Sequence, residues 1–249
     1  MKQTLLTIVQ DILLSLDADE VSSIDDTLEA TQVANIVKNT YLNMASTRNW
    51  SGQKRLIQFD HSGTTDRPTH LKSPENLKEL HSFRYNCSND SKIEYREIKY
   101  REPDDFLRIN AYRSQPDDNT RIIEDLGGTP LVILTNRPPI YWTSFDDTYI
   151  VCDAYDKEVD DALQASKTQL HVTQFPNFTI LDDFVPDLPV EAFQALYNEA
   201  KSIAFVEVKQ VANQKAEQES RRQQTWLSRK EWQLKGGVKY SNFGRRSQK

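Results

Sequence analysis

The stretch Val190-Glu191-Ala192-Phe193-Gln194-Ala195-Leu196-Tyr197-Asn198-Glu199-Ala200-Lys201-Ser202-Ile203-Ala204-Phe205-Val206-Glu207-Val208-Lys209-Gln210-Val211-Ala212 decides how this chain is organised. It follows Pro189, whose fixed φ suits the start of a helix, and no glycine or proline interrupts residues 190–235. Phe193, Leu196, Tyr197, Ala200, Ile203, Ala204, Val208 and Val211 recur at three- and four-residue steps, which predicts a helix with one apolar stripe. Beyond Ala212 the stripe fades into Gln, Glu, Lys and Arg, yet helix formers continue. The spacing therefore predicts a single helix reaching Lys235, roughly 65 Å long at 1.5 Å per residue. That is more than a small domain covers, so the distal half is expected to rest on another chain.

The N-terminal stretch carries the same period. Leu5, Ile8, Val9, Ile12, Leu13 and Leu16 predict a first helix, the polar run 17–23 a connection, and Val33, Ile36, Val37, Thr40, Tyr41 and Met44 a second helix ending near Trp50. A short joint between two helices makes an antiparallel hairpin, and the stripe on the last helix is its natural cover. Leu13, Val37, Phe193 and Leu196 are therefore expected in one core.

Between these segments the chain is broken by turns. All ten prolines lie between Pro68 and Pro189, no glycine precedes Gly52, and none lies between Gly128 and Gly236. Arg55–Phe59, Arg121–Glu124, Leu131–Leu134, Ile140–Thr143 and Tyr149–Cys152 read as short strands, with Gly127-Gly128 as a hairpin turn and Pro103–Ile109 as a short helix. The fold class expected is α+β: an antiparallel α-helical bundle with a β-rich insertion, the latter a small antiparallel sandwich. Its parts are an N-terminal helical hairpin over 1–50, the insertion over 51–186, a long C-terminal helix over 187–235 and an extended arm over 236–249.

Composition narrows the function classes. No apolar run approaches the roughly 20 residues that cross a bilayer, and the start has neither the apolar core nor the small-residue cleavage site of a signal peptide. A chain made and kept in a cytoplasm is expected. Cys87 and Cys152 give no disulfide framework and read as free buried thiols. The net charge of −6 hides an asymmetry, because residues 215–249 hold ten Lys or Arg against Glu217, Glu219 and Glu231. An acidic body with a basic tail is the pattern of an interaction arm.

No motif points to catalysis. His61, His70, His81 and His171 lack paired metal spacing, and neither a phosphate-cradling loop nor a nucleophile elbow occurs. Six acidic doublets recur, Asp25-Asp26, Asp104-Asp105, Asp117-Asp118, Asp146-Asp147, Asp160-Asp161 and Asp182-Asp183. A two-metal hydrolase needs carboxylates converging on one cation pair, and doublets this dispersed do not suggest convergence. They read either as solvated surface or as an acidic wall that keeps a nucleic-acid duplex from sticking. The expectation is no enzyme, no cofactor and no metal. The informative tail residues are Arg221, Arg222, Trp226, Leu227, Arg229, Trp232, Tyr240, Phe243, Arg245 and Arg246, of the types enriched at protein interfaces. The same types bind nucleic acid through phosphates and stacking.

Several of these features resemble one family. The run Val9-Gln10-Asp11-Ile12-Leu13-Leu14-Ser15-Leu16, the joint Val21-Ser22-Ser23-Ile24, a second helix closing on Arg48-Asn49-Trp50, Tyr141-Trp142, Asn198-Glu199-Ala200-Lys201-Ser202 and the terminal Asn242-Phe243-Gly244-Arg245-Arg246 are similar to the tail tubular protein A adaptors of T7-like podophages, also found in crAss-like phages. The resemblance spans most of the chain as an order of elements. It implies a structural virion protein at the head–tail junction, assembled in the host bacterial cytoplasm. It further implies a dodecameric ring between portal protein and tail nozzle, with genomic double-stranded DNA passing nonspecifically through the lumen at ejection and no membrane partner. The tail residues named above would be its contacts to portal or neighbouring subunit. The alternative from the residues alone is a nucleic-acid-binding module built on the basic tail.

Overall fold

The computed structural model describes residues 2–88, 94–113 and 118–230. The chain divides into two compact units, one from residues 1–52 with 176–249 and one from residues 53–175.

The first unit is helical and is built from both ends of the chain. Helices α1 (Leu5–Ser15) and α2 (Leu28–Thr47) are each started by a threonine, Thr4 accepting from the Thr7 amide and Thr27 from the Ala30 amide. Between them Asp26 accepts hydrogen bonds from the amides of Ser22 and Ser23, both at 2.7 Å, which closes the serine joint. Helix α4 (Phe193–Lys209) lays its stripe on this hairpin. Leu13, Val37, Phe193 and Leu196 all lie in one buried cluster, as the periodicity predicts. The returning segment before α4 also belongs to this core. Phe178 packs on Tyr41 and Phe184, and the Phe184 carbonyl accepts from the Leu5 amide.

The predicted single C-terminal helix is two helices. α4 stops at Gln210, which adopts a left-handed conformation (φ 57°), and α5 (Gln214–Lys230) follows. Asn198 pairs with Gln223 and Glu199 with Ser220, so α5 runs back antiparallel along α4. Leu227 is buried in the same cluster as Leu196. The expectation that the distal half has no partner within its own chain is therefore corrected for residues 214–230. No proline or glycine marks the bend, and for that reason the sequence hid it.

The second unit corrects the fold class. Its main feature is a curled seven-stranded sheet; with the five α-helices among the described residues, one in this unit and four in the first, the architecture is mixed α/β and not a helical bundle with a small β insertion. The strands are β1 (Lys54–Ile57), β2 (His70–Lys72), β3 (Leu77–Asn86), β4 (Tyr95–Tyr100), β7 (Tyr141–Thr143), β8 (Tyr149–Cys152) and β9 (Thr168–Gln174), in the order β1-β9-β3-β4-β7-β8-β2. β4 and β7 pair in parallel and the other neighbours antiparallel, so the sheet is mixed, and a two-sheet antiparallel sandwich is not what forms. β5 (Thr120–Glu124) and β6 (Pro130–Leu134) form a separate hairpin with Gly128 at φ 73°, the turn that Gly127-Gly128 announces. Helix α3 (Pro103–Ala111) starts on a proline, places Asp104 and Asp105 in its first turn, and buries Phe106. A second core, with Phe59, Leu71, Phe83, Phe106, Ile133 and Leu170 among its members, fills this unit.

Candidate functional site

Five carboxylates of the acidic doublets have partners in local caps, a long-range amide bond or ion pairs. Asp26 closes the serine joint, Asp146 accepts from the amides of Thr148 and Tyr149, and Asp182 accepts from the Ile24 amide at 2.9 Å. Asp105 pairs with Arg108 one turn on, and Asp160 with Lys167. Asp117 lies outside the described residues. The carboxylates of Asp26, Asp105, Asp146, Asp160 and Asp182 are thus occupied by amides or by a cation. Among the described residues no grouping of three or more His, Cys, Asp or Glu could hold a metal ion.

The most buried charge is a singlet that the sequence did not flag, Asp153. Its side chain accepts from the amides of Ile140 and Tyr141, both at 2.9 Å, and pairs with Arg113 at 2.9 Å and Arg137 at 3.6 Å. Arg113 also donates to the Asp153 carbonyl and to Asn110, so one carboxylate joins β8, the strand start at Tyr141 and the end of α3. Both carboxylate oxygens are engaged, one by two amides and the other by Arg113 with Arg137 close by, which makes this a structural hub.

A second polar clamp holds the β5–β6 hairpin. His70 Nε2 meets Asp125 Oδ1 at 2.9 Å, Arg67 donates to the carbonyls of Glu124 and Asp125, and Arg121 donates to the Thr65 carbonyl. Burial lowers the His70 pKa below its usual value and outweighs the opposing pull of the Asp125 carboxylate. In the unfolded chain the imidazole takes up a proton near pH 6.5, which the buried ring resists. Stability from this site is therefore intact above pH 6.5 and falls as pH drops from 6.5 toward the lowered folded value, by at most about 1.4 kcal/mol per pH unit. Urea midpoints at pH 7.5 and 5.5 should fall further for the natural chain than for His70→Gln. Parallel losses would show that His70 does not carry the effect.

Both cysteines are free, Cys152 fully buried and Cys87 only partly so. Burial pushes both thiols above their ordinary pKa, so neither is a thiolate nucleophile at neutral pH. Cys87 borders a cavity of about 220 Å³ shared with Tyr85, Arg96, Pro138, Tyr155 and Lys167. The Tyr85 hydroxyl there accepts from the Gln164 amide, and its pKa is raised by burial, so it is no ready base.

The outward face of α5 is where the predicted interface residues can be placed. Arg221 and Arg222 are exposed, pairing along the helix with Glu217 and Glu219, and Trp226 is 50% exposed. Leu227 points the other way, into the core of its own unit, and is not an outward anchor. Arg229 belongs to α5, while Trp232, Tyr240, Phe243, Arg245 and Arg246 lie outside the described residues. The inner face is held by Arg48, which donates to the Gln224 carbonyl at 2.8 Å, and Trp50 beside it is buried and donates to the Met44 carbonyl. The Arg-x-Trp closing α2 thus fixes α5. In comparison with known proteins, no family model matches this chain and no curated protein is similar to it.

Proposed function

We propose that this chain is a structural ring subunit, an adaptor joining the portal to the tail nozzle of a phage particle, with DNA passing through the ring, and that it is not an enzyme. The observation that carries the reading is the two-sided character of α5. Its inner side is satisfied at home by Leu227, Ser220 and the Arg48 bond. Its outer side presents Arg221, Arg222 and Trp226, and the chain continues directly into Trp232, Tyr240, Phe243, Arg245 and Arg246. Arg and Trp on a helix already held by its own unit fit an anchoring surface for another protein. The sequence runs that carry the resemblance, among them Arg48-Asn49-Trp50 and Asn198-Glu199-Ala200-Lys201-Ser202, support the dodecameric ring and the portal as neighbour. Asp caps spread over both units leave the body acidic, which suits passage of a duplex without adhesion.

The test separates anchoring from folding. A chain ending at Lys230 keeps α5 and loses the arm. It should melt within a few degrees of the full chain and yet fail to join portal rings in sedimentation, where the full chain co-sediments. Equal co-sedimentation of both chains would remove the arm from the interface, and no association of the full chain would remove the adaptor reading. If the truncation instead abolishes only a steeply salt-dependent DNA affinity, the nucleic-acid module takes its place.

A further inference from the structure

We infer that α5 is an exchange arm: residues 210–213 can straighten, joining α4 and α5 into one helix, and α5 then packs on α4 of a second copy of this chain. Three observations lead there. Gln210 holds a left-handed conformation (φ 57°, ψ 26°) that side chains with a Cβ rarely adopt, and its amide and that of Val211 both reach back to the Phe205 carbonyl. A helix end that closes on a left-handed residue normally takes glycine at that position. The bend is therefore strained, and a straight helix relieves the strain. Next, the segment Gln210-Val211-Ala212-Asn213 has neither glycine nor proline, and none occurs anywhere in residues 190–230. Apart from Asn213, whose side chain accepts from the Ala216 amide at 3.1 Å and caps α5, nothing in the local sequence opposes a continuous helix of about 57 Å.

The third observation is what holds the bent form. The inward stripe of α5 is Ala216, Ser220, Gln223, Gln224 and Leu227, of which only Ala216 and Leu227 are apolar. Ser220 is fully buried against Glu199, Gln224 reaches the same carboxylate, and Gln223 accepts from Asn198. Side-chain hydrogen bonds of this kind cost little net free energy to exchange for the same bonds to another molecule. They also demand the same partner. Burying Ser220 without Glu199, or Leu227 in water, is unfavourable, so an opened α5 is satisfied best by the α4 face of an identical chain. A short strained hinge beside a self-complementary contact is the arrangement that gives domain exchange. The inference does not rest on the adaptor reading, because it concerns the free chain alone.

The test uses the full chain with Cys87→Ser and spin labels at two introduced cysteines, Gln194→Cys and Thr225→Cys, diluted into unlabelled protein so that only the within-chain distance is read. Gln194 and Thr225 are both exposed and, by the Asn198–Gln223 and Glu199–Ser220 pairs, lie at a similar level of the antiparallel pair, so the bent form gives a short distance set by helices about 8–10 Å apart. The straight form gives about 47 Å. Mass in solution is measured alongside. At a few hundred micromolar the natural hinge should show some long distance together with multimer mass. Gln210→Val, which resists the left-handed conformation, should raise both at least about fivefold, and Gln210→Gly should lower both by a similar factor. A short distance with monomer mass in the natural and Val chains overturns the inference. So does a long distance at monomer mass, which means that α5 opens without a second copy. If the Val variant misfolds, the natural and Gly chains still decide: equal multimer fractions in those two refute exchange.

Discussion

Asp153→Ala is expected to destabilise the β unit by about 3–5 kcal/mol in urea unfolding, the cost of removing one partner from a buried charge network. The size follows from what the alanine leaves behind. The side chain of Asp153 is 1% exposed and that of Arg113 is 13% exposed, so the guanidinium would remain largely desolvated without its carboxylate. The amides of Ile140 and Tyr141 would lose their shared acceptor at the start of β7. An unpaired buried amide costs about 1–3 kcal/mol by itself. Asp153→Asn keeps an oxygen for the two amides and loses only the charge facing Arg113, so its effect should be clearly smaller. Equal losses for the two variants would show that the charge, not the amide bonds, holds the hub. A loss below about 1 kcal/mol for Asp153→Ala would mean that water reaches the site and that the hub is not the tie between α3, β7 and β8.

That hub also marks where the sequence stops being informative. The helical unit was readable because its apolar period is regular: Leu5 to Leu16, Val33 to Met44 and Phe193 to Val208 each bury one face, and all three faces meet in one cluster. The hairpin β5–β6 was readable because Gly127-Gly128 sits between two β-branched runs. Of the curled sheet, β1, β7 and β8 were readable as short strands, whereas β2, β3, β4 and β9 were not, because these strands hide their period. In β3 the register shifts between Leu77 and Glu79 and again between Leu80 and Ser82, so the alternation slips twice within ten residues. β4 buries only Ile98, and β9 buries Thr168 and Thr173 beside Leu170 and Val172. Leu170 and Val172, two apart, were the one usable signal for β9. The bend at Gln210 was hard to see for a different reason: no glycine or proline marks it, and its one local sign is Asn213, which caps α5 by accepting from the Ala216 amide at 3.1 Å. Asp153 stands alone in sequence, whereas the acidic doublets that attract notice contribute turn caps at Asp26 and Asp146 and ion pairs at Asp105 and Asp160. Buried polar hubs are set by neighbours distant in the chain, here Arg113 and Ile140, and composition does not display them.

Leu196→Ala carries the other large expected effect, about 2–5 kcal/mol of stability lost from the helical unit. Leu196 is 0% exposed and lies in the cluster formed by α1, α2 and α4, so truncation removes packing on several elements at once. How near the upper limit the loss falls depends on whether the surroundings can close over the cavity. Three features oppose closure. The aromatic group Tyr41, Phe178 and Phe184 is fixed by ring contacts, and the Tyr41 hydroxyl accepts from the Asp187 amide at 3.1 Å, which ties the returning segment to α2. Burial pushes the Tyr41 pKa up to about 12, as expected of a phenol held away from water. The first turn of α1 is pinned by the Phe184 and Asp182 carbonyls, so that helix cannot slide inward. Leu227 offers the internal control. It belongs to the same cluster, but it sits on α5, whose other inward residues are polar except for the small Ala216 and whose hinge is strained, so α5 can shift to fill a void. Leu227→Ala should therefore cost less than Leu196→Ala, at or below about 2 kcal/mol. Equal costs would mean that α5 is as rigidly packed as α4, and a loss under about half a kcal/mol for Leu196→Ala would remove it from the core. The ordering of the two leucines thus measures how loosely the unit holds its last helix, the property on which both exchange and anchoring depend.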